Sequence, residues 1–168
     1  MKFVNYVVLI CACVLLSSCL TDIEADVVEF DQEQFDRERA AWNAANVKDY
    51  SFNLYVTGYG MSSIIRFVVK NGAFKEREIV KSGKFENIDA GFTTIPAFYD
   101  KIERTVQDAR KKYEGRNPND IRFLIDVVYN TENHFPVSMR NSELDFNSTG
   151  LLLADTITCS IKDFKRGN

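Results

Sequence analysis

The residues with the most chemical potential are four cysteines and a single histidine in a chain of 168 residues. A thiolate serves as nucleophile or metal ligand, and an imidazole serves as general base. Cys19 stands at the end of an apolar run, in the order Leu16-Ser17-Ser18-Cys19. Cys11 and Cys13 lie inside the apolar run itself. Cys159 falls in an alternating pattern and reads as a small buried apolar residue, the usual state of an inert free thiol. His134, in a turn beside Phe135-Pro136, is far in sequence from any marked nucleophile. It reads as a solvated turn residue rather than the base of a Ser-His-Asp or Cys-His engine. Zinc needs clustered His and Cys, and this sequence has none.

Carboxylates are abundant, with 24 Asp and Glu against 21 Lys and Arg. Paired carboxylates are the chemistry of glycoside hydrolysis. Asp120 and Asp126 flank one strand, and Glu143 and Asp145 share a stretch read as loop; all four read as ordinary solvated residues. Asp145-Phe146-Asn147 lacks the regular oxygen spacing and closing Glu of a calcium loop. Asn147-Ser148-Thr149 fits a glycosylation sequon but reads as a plain polar loop. Asn71-Gly72 is a turn, not a phosphate loop. The chain is mildly acidic, with net charge −3 and no arginine-rich run, which argues against nucleic acid as a partner. No cofactor and no metal are expected, and the protein reads as not an enzyme.

The chain opens with Met1-Lys2, followed by an apolar stretch from Phe3 to Leu16 interrupted by Asn5 and Tyr6. A basic start, a short apolar core and small residues before a cut site make a secretory signal. The core is shorter than the roughly 20 apolar residues that span a bilayer, which weighs against a retained anchor. Leu16-Ser17-Ser18-Cys19 resembles the bacterial lipobox. The resemblance implies a signal peptide over 1–18, cleavage before Cys19 and a thioether-linked diacylglycerol on Cys19. Several acyl chains, palmitate among them, then hold the protein on a membrane. Leu20, in place of Asp after the cysteine, resembles the pattern of an outer-membrane rather than inner-membrane destination. Cleavage removes Lys2 alone among the charges and leaves about 150 residues, enough for one domain with a core. With Cys19 lipidated, Cys159 has no partner for an internal disulfide.

Residues 19–30 read as the lipidated cysteine and an acidic, patternless tether, and 31–168 as a single domain. Asp31 caps a helix running to about Asn46, with Gln34 as capping-box partner. Phe35, Ala41, Trp42 and Ala45 form its inner face, with Arg37, Glu38 and Arg39 outward. From Tyr50 the period is two: Tyr50, Phe52, Leu54 and Val56 face one way, Ser51, Asn53, Tyr55 and Thr57 the other. Ser63–Lys70 is a second strand. Asn71-Gly72 is a two-residue hairpin turn, and Ala73–Lys81 is the returning strand, placed at an edge. Thr93 or Thr94 caps a second helix with Pro96 in its first turn. Ile95, Phe98, Tyr99, Ile102, Val106 and Ala109 recur at helical spacing. Ile121–Tyr129, apolar on most of both faces, is placed centrally. Pro136–Asn141 returns, 142–150 is a polar loop, and Thr156–Ile161 is a sixth strand. The fold class is α+β: an antiparallel sheet of about six strands with two helices on one face, in the order α-β-β-β-α-β-β-β. The repeated element order leaves a duplication open.

Trp42, then Asp49-Tyr50-Ser51-Phe52, Phe67-Val68-Val69-Lys70-Asn71-Gly72, Thr94-Ile95-Pro96-Ala97-Phe98 and Tyr129-Asn130 with Phe135-Pro136 follow one another in a recognisable order. In this the chain resembles a family of bacterial lipoproteins built on a domain of unknown function, over roughly residues 35–165. Many of that family carry a cysteine pair after the first strand, where this chain has Thr57-Gly58-Tyr59-Gly60-Met61, and a glycine where it has His134. The resemblance implies fold and localisation and no activity. Tyr55 and Tyr59, among small polar residues, are the candidate contact surface for an envelope protein or peptide. The expected function is a non-catalytic, membrane-tethered interaction domain. The competing readings are a passive surface lipoprotein and a carboxylate-dependent hydrolase of wall or lipid material.

Overall fold

The computed structural model describes residues 26–58, 60–83, 90–147 and 158–167. The signal peptide, Cys19, Tyr59 and Ser148-Thr149 lie outside them. Among the described residues the elements are β1 (Val28–Glu29), α1 (Gln32–Ala45), β2 (Tyr50–Gly58), β3 (Met61–Lys70), β4 (Ala73–Lys81), a 3-10 turn at Ala90–Phe92, α2 (Ile95–Lys112), β5 (Ile121–Tyr129), β6 (Pro136–Asp145) and β7 (Thr158–Arg166). Neither helix is long and apolar enough to cross a membrane.

The helices start where their caps dictate. The Asp31 carboxylate accepts from the Gln34 N–H at 2.8 Å, and the Thr94 hydroxyl from the Ala97 N–H at 3.1 Å, so each satisfies an orphan donor. Asn46 closes α1 in the left-handed conformation, and Arg110, Lys111 and Lys112 sit at the negative end of α2. Asn71 and Gly72 both take positive φ, 53° and 75°, the backbone of a tight hairpin whose twist matches its strands.

The strands form one mixed seven-stranded sheet in the order β1-β5-β6-β7-β2-β3-β4. The expectation of about six antiparallel strands needs one amendment. Val28 and Glu29, inside the segment read as tether, pair in parallel with Phe123 and Leu124 of β5. Val28 is buried and Val27 and Phe30 pack against the core, which is why this short stretch is held. The central strand is β7, not Ile121–Tyr129, which lies next to the β1 edge; its outward Val128 is 50 % exposed. β6 also continues through the supposed loop to Asp145, because the backbone of β5 down to Ile121 takes its partners there.

Both helices lie on one face, over Tyr50, Phe52, Leu54 and Val56 of β2, Ile65, Phe67 and Val69 of β3, and Met139, Cys159 and Ile161. Trp42 meets Tyr50, Phe135 and Phe164 edge-on, and Phe35 meets Tyr99. Ala45, expected inward, is exposed; Glu38 and Arg39, expected outward, turn to the core rim, where Arg39 bridges to Asp100 and Glu103 of α2.

The repeated order is not a superposable duplication. β2 runs antiparallel to β5, since β5, β6, β7 and β2 alternate in direction across the sheet. Laying β2-β3-β4 on β5-β6-β7 in the same lateral order therefore reverses strand direction. A rigid rotation that does so also turns the sheet over, yet both helices share a face.

Trp42, 3 % exposed, is the largest apolar group of α1 in the core. Trp42→Ala is expected to cost about 3–5 kcal/mol. Val80→Ala on the exposed β4 should stay within about 0.5 kcal/mol of the parent. Urea unfolding of the two variants measures both.

Candidate functional site

Opposite the helices, the outer face of the sheet carries no covering element among the described residues. Strand alternation puts Ser51, Asn53, Tyr55 and Thr57 of β2 on it. Their cross-strand neighbours share that face: Thr57 lies between Ser62 and Thr158, Tyr55 between Ile64 and Ser160, and Asn53 between Arg66 and Lys162. Among the described residues, Tyr55 thus stands directly beside Ile64, with Ser, Thr and Asn chains around the pair and Arg66 and Lys162 further along. The Lys162 ammonium stands 4.6 Å from its ring centroid, a contact worth roughly 0.5–1 kcal/mol at such a site, which holds the ring in place. A restrained ring with hydroxyls and an amide nearby is suited to contact another surface with little loss of side-chain freedom.

The face changes character along its width. Toward β1 it becomes more apolar, with a shallow hollow of ≈ 520 Å³ lined by Phe30, Leu124 and Leu144 together with Asp126 and Arg140. Toward β4 it becomes charged, around a second hollow of ≈ 330 Å³.

The groups that could have been catalytic are placed apart. His134 is more than a solvated turn residue: its side chain is 38 % exposed, yet its Nδ1 lies 2.8 Å from Oε2 of Glu38, whose side chain is 12 % exposed. Its carbonyl accepts from the Tyr99 hydroxyl at 2.8 Å, and its φ of 53° explains why a glycine would also suit the position. Through its imidazole His134 ties the β5–β6 turn to α1, and through its carbonyl to α2. Asp120 sits in the turn before β5, and Asp126 is exposed on the outer face opposite Arg140. Glu143 and Asp145 belong to β6 rather than to a loop. Glu143 accepts from the Tyr113 hydroxyl and from Lys112 at 3.1 Å. Those bonds hold its carboxyl below the usual range, while burial pushes the Tyr113 phenol up. Asp145 accepts from the Asn147 N–H. Among the described residues, no group of three or more His, Cys, Asp and Glu gathers where it could hold a metal. Cys159 is buried, and burial pushes its thiol up to about 11.

Sequence reasoning found the Tyr55 face but missed the charged hollow beside it, lined by Arg66, Glu78, Asp163 and Lys165. One signal was available. Ile161 and Phe164 both pack on the core side although they are three residues apart, a spacing that breaks the period of two and marks a bulge.

No protein-family model matches this chain, and no curated protein matches it.

Two outcomes follow from the groups described. Cys159 should resist a thiol reagent at mildly alkaline pH until denaturant opens the core, read as the rate of labelling at that residue by mass spectrometry. The depressed pKa of Glu143 means its contribution to stability is present above the ordinary carboxyl value of 4.5 and is lost as the pH falls through the lower folded-state value. Glu143→Gln should therefore destabilise the protein at neutral pH, and the gap from the parent should close on acidification to about pH 3.

Proposed function

We propose that this protein is a bacterial envelope lipoprotein, cleaved before Cys19 and lipid-anchored there. The outer membrane is favoured over the inner. Its folded domain serves as a non-catalytic interaction module for a protein or peptide of the envelope. One observation carries the interaction reading: one face of the sheet is filled by both helices, while the other presents Tyr55 to the outside beside Ile64 and Lys162, with Ser, Thr and Asn around them. Aromatic residues in a polar surround are what interaction surfaces enrich.

The face is a better docking surface than the edge. β4 is exposed along its length, but two register shifts interrupt its pairing with β3, and Lys75, Glu76, Arg77, Glu78 and Lys81 line it. Bulges and charges of this kind deter strand addition. The binding rather than catalytic reading draws on the commitments of the reactive groups: His134 to Glu38, and Glu143 to Tyr113 and Lys112. The anchor reading draws on Leu16-Ser17-Ser18-Cys19 and the apolar run before it.

Two measurements test these parts separately. Intact-mass analysis of protein from its native membrane should give a chain beginning at Cys19 and carrying diacylglycerol, absent from Cys19→Ala. A mass without lipid overturns the anchor. A photo-crosslinking amino acid placed at position 55 in living cells should yield a discrete adduct that the same probe at Asp108, exposed on α2, does not. Equal patterns at the two positions, or no adduct at 55, overturn the interaction face.

A further inference from the structure

The charged hollow at the β4 end of the outer face is built by a departure from regular sheet. On β2, Ser51 pairs with Lys165 and Asn53 with Lys162, so a span of two residues faces a span of three on β7. The bulge is at Asp163, which takes a left-handed φ of 53°, a conformation that Asp adopts more readily than most residues. Its carboxylate is pinned by the Asn53 side-chain amide, which donates at 2.8 Å. A bulge bends its strand and re-aims a side chain; here it leaves a hollow of ≈ 330 Å³ whose rim includes Asp163 itself.

Apart from Asp163, the charges around this hollow have no partner among the described residues. Arg66 and Glu78 are directly opposed on β3 and β4, where opposite charges ordinarily meet. Yet neither makes an ion pair or hydrogen bond with any described residue, and the same holds for Lys165 on the opposite rim. One small concavity therefore holds two uncommitted cations, one uncommitted carboxylate, a second carboxylate fixed by an amide, and the Ser51 hydroxyl. A ligand of a single charge would satisfy half of this lining and be repelled by the other half. A ligand carrying both signs satisfies both.

We propose that the hollow binds a small zwitterion, a free amino acid or a short peptide, with its carboxylate on Arg66 and Lys165 and its ammonium on Glu78. The planar Arg66 guanidinium, with its fork of donors, suits a carboxylate. The volume lies at the lower end of ligand pockets, which fits a dipeptide. This deepens the reading of the outer face as a peptide-binding surface and rests on that reading for its biological setting, although the site is chemically independent of Tyr55.

The test is amide chemical-shift titration of the full-chain protein, purified in detergent, with alanyl-alanine, glycine and the doubly blocked N-acetyl-alanyl-alanine amide. Alanyl-alanine or glycine should saturably shift the amides around 51–53, 66, 78 and 163–165, while the blocked peptide should not. The tighter of the two zwitterions tells a peptide from a free amino acid. Arg66→Gln and Glu78→Gln change exposed side chains outside the core and should each weaken binding about tenfold, with the rest of the spectrum unmoved. Three results overturn the proposal: no saturable shift up to about 10 mM, an equal response to the blocked peptide, or unchanged affinity in both variants. The crosslinking probe at position 55 uses none of these charges. A specific adduct there with a failed titration removes the zwitterion site alone; a saturable titration without an adduct keeps that site and removes the partner-binding face.

Discussion

Tyr50 is where both helices are fastened to the sheet. It begins β2, and its ring is met edge-on by Trp42 of α1 at 5.6 Å and tilted against Phe164 of β7 at 5.6 Å. Its hydroxyl accepts from the Ile95 N–H at 3.0 Å, one of the donors that the first turn of α2 leaves without an internal partner. Burial pushes the phenol up to about 12, so the group stays neutral and costs no buried charge. One side chain thus sets the height of both helices above the same strand. Because both helices are spent on that face, the polar alternation of Ser51, Asn53, Tyr55 and Thr57 is left for solvent or a ligand.

Much of this was legible locally. Asp31 and Thr94 announce helix starts through the hydroxyl or carboxylate each offers to an N–H three residues on, and Asn71-Gly72 announces a hairpin through its tolerance of positive φ. The face on which Tyr55 lies follows from a period of two. What escaped was set by partners distant in the chain. A strand of two residues has no period to read, so Val28 and Glu29 looked like tether until β5 was seen beside them. The contact of His134 with Glu38 spans 96 positions, and nothing near either residue announces it. The charged hollow escaped because a bulge depends on register between strands; only the Ile161–Phe164 spacing hinted at it.

The two margins of the sheet are managed differently. The β4 margin is long and kept from pairing by charge and irregular register, which the chain needs because Phe74, Ile79 and Val80 on that strand are all exposed. The β5 margin is covered by the chain itself through β1, backed by the Arg122–Glu29 bridge at 3.3 Å. Between them the outer face grades from apolar to charged, so a ligand surface of matching gradient would engage it in only one orientation.

The parallel seating of β1 has a mechanical consequence. A load arriving from upstream of Asp26 along the axis of β1 passes first into Val28–Glu29, whose hydrogen bonds to β5, with that from the Phe123 N–H to the Val27 carbonyl at 2.7 Å, lie across that axis. Bonds loaded in shear share the force and yield together, whereas bonds in an unzipping hairpin yield one after another. A pull along that axis therefore meets a small clamp before it reaches the cap of α1.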